Sequence, residues 1–269
     1  MIRLVVFAGG QSRRFQRPGE PWVNKCGYPV GGRPMIEAVI EAARGLVDEV
    51  YIAPGRNESF GLPVVEDHPQ FSGPMAAVVS AAYRFDGTLL FAPCDVPYIT
   101  PKAFKELLEA KGTAVYVMPN GLVESHIFKA EAEEVRRMAA LLARRRGRLD
   151  DIFRLSRAVS YLSIAKHGVA PKELHNVNFR EDIDASELEA SGEFLEDLVL
   201  EWDPPLALYL STGSRDALWA ELRTYMEAGL FSMAAHVLED LAEGNRKLAT
   251  AARALKELVG IRKERGPTG

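Results

Sequence analysis

The chain has 269 residues, 47% of them hydrophobic and 26% charged, enough for one large domain or a medium one with an appendage. A formal net charge of -4 argues against a general polyanion binder and so against a nucleic-acid partner. No apolar segment is long enough to cross a bilayer, and residues 2–7 are too short for an export signal, which predicts a cytoplasmic protein with no membrane partner.

Ile2–Phe7 reads as a short buried strand, followed to Lys25 by a loop rich in Gly, Pro and charge. Pro34 opens a helix whose apolar stripe runs from Met35 to Val47. Residues 49–53 and 62–65 form the next two strands, and a loop at 67–74 leads into a small-residue helix over 75–83. Residues 88–92 are apolar throughout and predict a central strand, ending at Pro93-Cys94-Asp95-Val96-Pro97. Thr100 and Pro101 read as N-cap and first residue of another helix. A strand at 113–118, helices at 131–145 and 149–157, and a strand at 159–164 continue the alternation. Alternating strands and helices predict an α/β fold, a Rossmann-like, mostly parallel sheet with helices on both faces.

From Ser186 onward only helical periodicity is legible, so we expect an α/β domain over 1–185 and a helical C-terminal domain over 186–269, frayed at 262–269. The dense run Arg144-Arg145-Arg146-Gly147-Arg148 is expected to be a solvated helix end. Cys26 and Cys94 make neither a disulfide framework nor a metal cluster, and Cys94 is expected to be a packing residue.

In an open parallel sheet, ligands gather beyond the carboxyl ends of the strands. Three unusual loops fall there, at 8–14, 67–73 and 93–97. Gly9 and Gly10 let backbone N–H groups approach an anion, and Arg13 and Arg14 can neutralise it. Asp95 is placed to hold a divalent metal over a nucleoside triphosphate.

The stretch Phe7-Ala8-Gly9-Gly10-Gln11-Ser12-Arg13-Arg14-Phe15, with Lys25, resembles the nucleotidyltransferase motif of the molybdenum cofactor guanylyltransferases. Matching stretches follow in the same order: residues 31–36, Asp67 with 73–78, 93–97, a loose echo at 124–128, and 176–182. The resemblance covers about residues 1–185 and implies a fold of the nucleotide-diphospho-sugar transferase type. It further implies that Ala8, Gly9, Gly10, Ser12, Arg14, Lys25, Asp67, Gly73 and Asp95 bind the nucleotide. Arg14, Lys25 and Asp95 would serve catalysis, and Asp95, Asn178 and Asn176 would hold Mg²⁺. The Ala-Gly-Gly and Pro-Cys-Asp-x-Pro forms accompany guanine in the wider family, so GTP is the expected nucleotide and molybdopterin the acceptor.

Several departures bear on this expectation. Asn24 stands where the family has an aspartate, Phe15-Gln16 replace Met-Gly, and residues 17–23 are extra. Phe179-Arg180 follow Asn178 in place of Thr-Pro, and Asn57 does not align with the family's nucleoside-binding asparagine. Such changes leave room for another acceptor (adenosylcobinamide phosphate or a sugar 1-phosphate) or for a non-catalytic nucleotide- or partner-binding homologue. The tail at 190–269 reads as a stabilising cap, a self-association surface, or a docking site for a molybdoenzyme or another biosynthetic protein. His68 and His126 read as surface or structural histidines.

Overall fold

A computed structural model describes residues 1–55, 57–145, 147–184 and 191–260. In chain order it contains β1 (Ile2–Phe7), β2 (Pro29–Val30), β3 (Arg33–Pro34), α1 (Met35–Ala42), β4 (Glu49–Ala53), α2 (Pro74–Arg84) and β5 (Thr88–Pro93). Then come α3 (Pro101–Glu109), β6 (Thr113–Val117), β7 (Val123–Glu131), α4 (Ala132–Leu142), α5 (Asp150–Leu155), β8 (Ala158–Ser163) and α6 (Ile164–His167). A last strand, β9 (Leu198–Glu201), precedes α7 (Pro205–Thr212), α8 (Arg215–Glu227), α9 (Phe231–Leu241) and α10 (Arg246–Leu258).

Seven strands form one sheet in the order β4-β1-β5-β7-β6-β8-β9. β1 lies parallel to β4 and β5, and β6 parallel to β8, while β7 and β9 run against their neighbours. The sheet is therefore mostly parallel, as expected. Successive side chains of β1 alternate between its faces: Leu4 and Val6 pack in the core with Ile36 and Phe104, Val5 and Phe7 in the core with Val78 and Phe153. Phe7, Phe91 and Phe128 stack across three adjacent strands, and Phe153 of α5 closes on the last edge-on at 5.5 Å.

The helical tail packs into the second of these cores through Leu206, Leu218, Tyr225 and Met233. The dense arginine run is not simply a solvated helix end. Arg145 pairs with Asp151 and Asp240, and Arg148 with Glu239. Fully buried Arg154 grips Glu221 with two bonds of 2.7 and 2.8 Å and reaches Asp240 at 2.7 Å. Glu221 lies on α8 and Glu239 and Asp240 on α9, so cations of the α4–α5 region dock the tail by paired, desolvated charge. Arg146, the segment 185–190 containing the proposed domain boundary, and the tail end at 262–269 lie outside the described residues.

Other expectations need correction. Residues 62–65 form only one parallel bridge, Val64 with Ile52, because Pro63 has no N–H to extend the pairing. α1 stops at Ala42 before the left-handed Gly45, short of Val47. The sequence reading missed β7 and β9. In β7, Glu124, Ser125 and His126 follow Val123 and interrupt the apolar pattern, and β9 is a four-residue edge strand.

Candidate active site

Parallel pairing places the carboxyl ends of β1, β4 and β5 side by side, with Phe7 opposite both Ala53 and Pro93. The loops that leave these ends carry the expected site. Cys94 N donates to Phe7 O at 2.9 Å and Ala8 N to Ala53 O at 3.0 Å, so pairing continues one residue beyond the strands. Ala8 is buried, whereas Gly9 and Gly10 are exposed. Gly10 has φ of 117°, a backbone region that disfavours a side chain, and Ser12 turns left-handed at 48°. Asn57 Nδ2 donates to Ala8 O at 2.7 Å and Gly10 O at 2.9 Å, fixing the glycine loop from the β4 side. The sequence reading missed this role, since a contact made by a side chain from another loop has no local signature.

Lys25 and Asp95 form an ion pair, and both side chains are largely buried. Ser12 Oγ accepts from Lys25 N at 3.3 Å, tying the two halves of the first loop together. Val177 N donates to Asp95 O at 2.7 Å, which brings Asn176 and Asn178 against the Asp95 loop. Asn178 Oδ1 accepts from Arg14 Nη2 at 3.2 Å. Direct contacts thus join Ser12 to Lys25, Lys25 to Asp95, and Arg14 to Asn178, and the Val177 backbone links the last pair to the Asp95 loop. Asp67 and Gly73 sit in the loop before α2, where Gly73 caps that helix with φ of 61° and Asp67 is exposed. Among the described residues no hydrogen bond joins either of them to this group.

The cysteines correct the sequence reading. Cys26 and Cys94 form a disulfide with Cα atoms 5.3 Å apart, across a sequence separation of 68. Adjacency of β1 and β5 places Cys94 beside the loop that carries Cys26, a juxtaposition that spacing in the sequence cannot reveal. The bond lies directly beside the Lys25–Asp95 pair.

The lengthened first loop is organised. Gln16 Nε2 donates to Ser12 O and Val23 O, both at 2.8 Å, and Gln16 Oε1 accepts from Val23 N at 2.9 Å. Phe15 is buried with Met35 and Val177 and meets Tyr28 edge-on at 4.9 Å. Arg180 covers both rings, donates to Phe15 O and pairs with Glu20 at 2.7 Å. Two departures from the family pattern, the extra residues and Phe179-Arg180, therefore act together. Asn24 likewise has a local function, accepting from Cys26 N at 3.1 Å to cap the short turn that bears Lys25.

The donor set suits a hard divalent cation: a carboxylate at Asp95 and amide oxygens at Asn176 and Asn178. Asn176 Oδ1 is buried and has no hydrogen-bond partner among the described residues, which favours a ligand at that atom. His126, expected to be a surface or structural histidine, is exposed at the rim of a cavity that reaches Asn176 and Asn178. Partial desolvation alone would lower its pKa. The hydrogen bond and charge of Glu124, helped by Asp150 and Asp95, outweigh that effect and hold it above the usual imidazole value.

Comparison with known proteins gives this geometry a context. The MobA-like NTP transferase domain family matches residues 4–159. The molybdenum cofactor guanylyltransferases of Yersinia pestis (strain Pestoides F) and Yersinia pseudotuberculosis (serotype O:1b) are each 28% identical to this chain over 131 residues. Each match covers 46% of this chain and 65% of the relative, so the chain spans less than two thirds of the length of these curated relatives. Two solved structures share the fold. Molybdopterin-guanine dinucleotide biosynthesis protein A from Archaeoglobus fulgidus is 17% identical, covers 69% of this chain and 96% of its own, and has a TM-score of 0.53. A nucleotidyl transferase from Methanothermobacter thermautotroptrophicus is 22% identical, with 68% and 94% coverage and a TM-score of 0.52. With more than half of its residues matched to one family and that family's loops assembled at the carboxyl ends of β1 and β5, the chain belongs to the MobA-like NTP transferase domain family.

Proposed function

We propose that this protein is a nucleotidyltransferase that moves GMP from GTP to molybdopterin, with Mg²⁺ as cofactor. The observation that carries the reading is the Lys25–Asp95 contact at the mouths of β1 and β5, with Arg14 and Asn178 beside it. It unites phosphate-neutralising cations with hard oxygen donors at the place where an open α/β sheet binds nucleotides. The names of the Yersinia relatives support guanine and the molybdenum cofactor.

In this reaction an oxygen of the acceptor's phosphate attacks the α-phosphorus of GTP. A new P–O bond forms, the α–β phosphoanhydride bond breaks, and its electron pair leaves with pyrophosphate. No protein nucleophile is needed, because positioning and charge neutralisation lower the barrier. Backbone N–H groups around Gly9 and Gly10 approach the triphosphate without Cβ obstruction. Arg14 and Lys25 offset the charge that grows on the departing pyrophosphate. Asp67 and Gly73 complete the nucleotide site from the α2 side. Asp95, Asn176 and Asn178 would hold Mg²⁺, which when bound neutralises the reacting phosphates. In this scheme residues 1–185 carry the nucleotide site, while the chain beyond 190 completes the sheet edge with β9 and packs its helices into one of the cores.

Pyrophosphate release should be followed with GTP, ATP, CTP or UTP in turn, in the presence of Mg²⁺ and molybdopterin. GTP is expected to support the highest kcat/KM and to yield a product heavier than molybdopterin by one GMP unit. Preference for CTP or UTP would overturn the base assignment.

A further inference from the structure

A cavity of about 690 Å³ lies beyond Asn178, between the 171–178 segment, the start of β7 and the first turns of α9. Its volume suits a ligand of two or three rings. One wall is the catalytic unit's own, including Glu124, His126 and Asn176, and the facing wall is supplied by the tail through Ser232, His236 and Gly260. That second wall lies outside the family match at residues 4–159.

The tail is fastened to the rim of this cavity. Ser232 Oγ accepts from Val123 N at 2.9 Å, and Ser232 N donates to Gly121 O at 3.2 Å. Gly121 has φ of 82°, and a Cβ there would lie 2.1 Å from Gly229 O, so the β6–β7 turn and the start of α9 meet backbone to backbone. Asn120 Nδ2 reaches Val259 O at 3.4 Å. A shift of the tail would therefore reshape the cavity.

Polarity gives the cavity a direction. At one end Asn178 bonds to Arg14, joining it to the phosphate loop. The rest of the described lining holds Glu124 and Asp150 and contains no Lys or Arg. Arg148 donates to His236 Nδ1 at 3.0 Å, which leaves the neutral ring's proton on Nε2, 3.4 Å from Asp150 Oδ2. His175 Nε2 is buried without a partner among the described residues. Such a lining favours a body that presents N–H or O–H donors.

We infer that this cavity is the acceptor site, that it takes a phosphate monoester whose body is rich in hydrogen-bond donors, and that the helical tail shapes the site through Ser232, which fastens the rim, and through His236, which positions the Asp150 carboxylate that receives those donors. The inference rests on the nucleotidyl-transfer reading above and adds the tail's part in it. A pterin phosphate and a sugar 1-phosphate share the required chemistry, through N–H and O–H donors respectively.

The test uses the full chain with GTP, Mg²⁺ and, in separate arms, molybdopterin and glucose 1-phosphate. In His236→Ala the KM for the acceptor that wild type uses should rise about tenfold, the equivalent of one lost polar contact, while KM for GTP stays within about twofold. His236→Gln, which retains a donor, should recover part of the loss. Asp150→Asn, which removes the carboxylate that the ring faces, should raise the same acceptor KM. If wild type uses glucose 1-phosphate alone and its KM responds, the inference stands and the molybdopterin assignment falls. If molybdopterin is used and its KM is unmoved in both His236→Ala and Asp150→Asn, the transfer reading stands and this inference is overturned. Parallel rises in both KM values would also overturn it, because they would mark a general structural role.

Discussion

Lys25 and Asp95 meet as an ion pair although seventy positions separate them, and their immediate neighbours Cys26 and Cys94 are joined by a disulfide. Two loops from different strands are thus held together twice, once by charge and once by a covalent bond. On the chain-entropy estimate, closing a loop with a sequence separation of 68 contributes roughly 4 kcal/mol. Cys26→Ser and dithiothreitol-treated wild type should therefore show the same reduced midpoint in urea unfolding. An unchanged midpoint in both would show that the cross-link does not stabilise the fold.

Lys25→Ala should reduce kcat by about 10²–10³-fold, the usual cost of removing a group that offsets developing charge. Its thermal stability should change far less than its rate, since the Asp95 loop stays tied by the backbone bond from Val177 N and by the Cys26–Cys94 disulfide. Chelation of divalent cations should abolish turnover, and added Mg²⁺ should restore it. Full activity in excess chelator would contradict the role given to Asp95, Asn176 and Asn178.

Arg154 is completely buried among Glu221, Asp240 and Asp151. Arg154→Met leaves those carboxylates without their cation and should cost about 3–5 kcal/mol in denaturant unfolding. Arg154→Met combined with Glu221→Met should be less damaging than the single substitution, because the unpaired charge is removed with its partner. A double variant as unstable as the sum of the singles would contradict this account of tail docking.

Acid should weaken the same docking. Burial raises the pKa of Glu239, but the hydrogen bond from Lys256 and the charges of Arg148 and Lys256 outweigh it and hold the carboxyl far below its ordinary 4.5. A carboxyl depressed in the folded state contributes fully above its unfolded pKa and loses that contribution as pH falls below it. Neighbouring Glu221 shifts upward, chiefly through burial, and acts in the opposite sense. Stability should hold from pH 7 to about 5 and decline below about 4.5, the ordinary carboxyl range. Glu239→Gln should flatten that decline. Equal acid sensitivity in variant and wild type would assign the loss to other groups.

Much of this was legible in the residues. Ile2–Phe7 and Glu49–Ala53 form strands over the expected residues, since each is a short β-branched run bounded by turn signals. Thr100 caps α3 as its hydroxyl and the following proline implied. What escaped the sequence is long-range. The Cys26–Cys94 bond and the Asn57 contacts arise from strand order, which no local pattern encodes. β7 was obscured because the residues at its start face the cavity rather than the core, trading apolar alternation for Glu124, Ser125 and His126. Arg145 and Arg148 looked like a solvated cluster because their partners lie far along the chain, on α9.

The central claim is that nucleotidyl transfer occurs where Lys25, Asp95 and Asn178 converge. Its most direct measurement is pyrophosphate release from GTP with Mg²⁺ and molybdopterin by wild type and Asp95→Ala, each first shown to be folded. The account predicts GTP-dependent transfer by wild type and a loss of at least about two orders of magnitude in kcat for the variant. Equal rates in the two proteins, or no transfer by wild type, would contradict it.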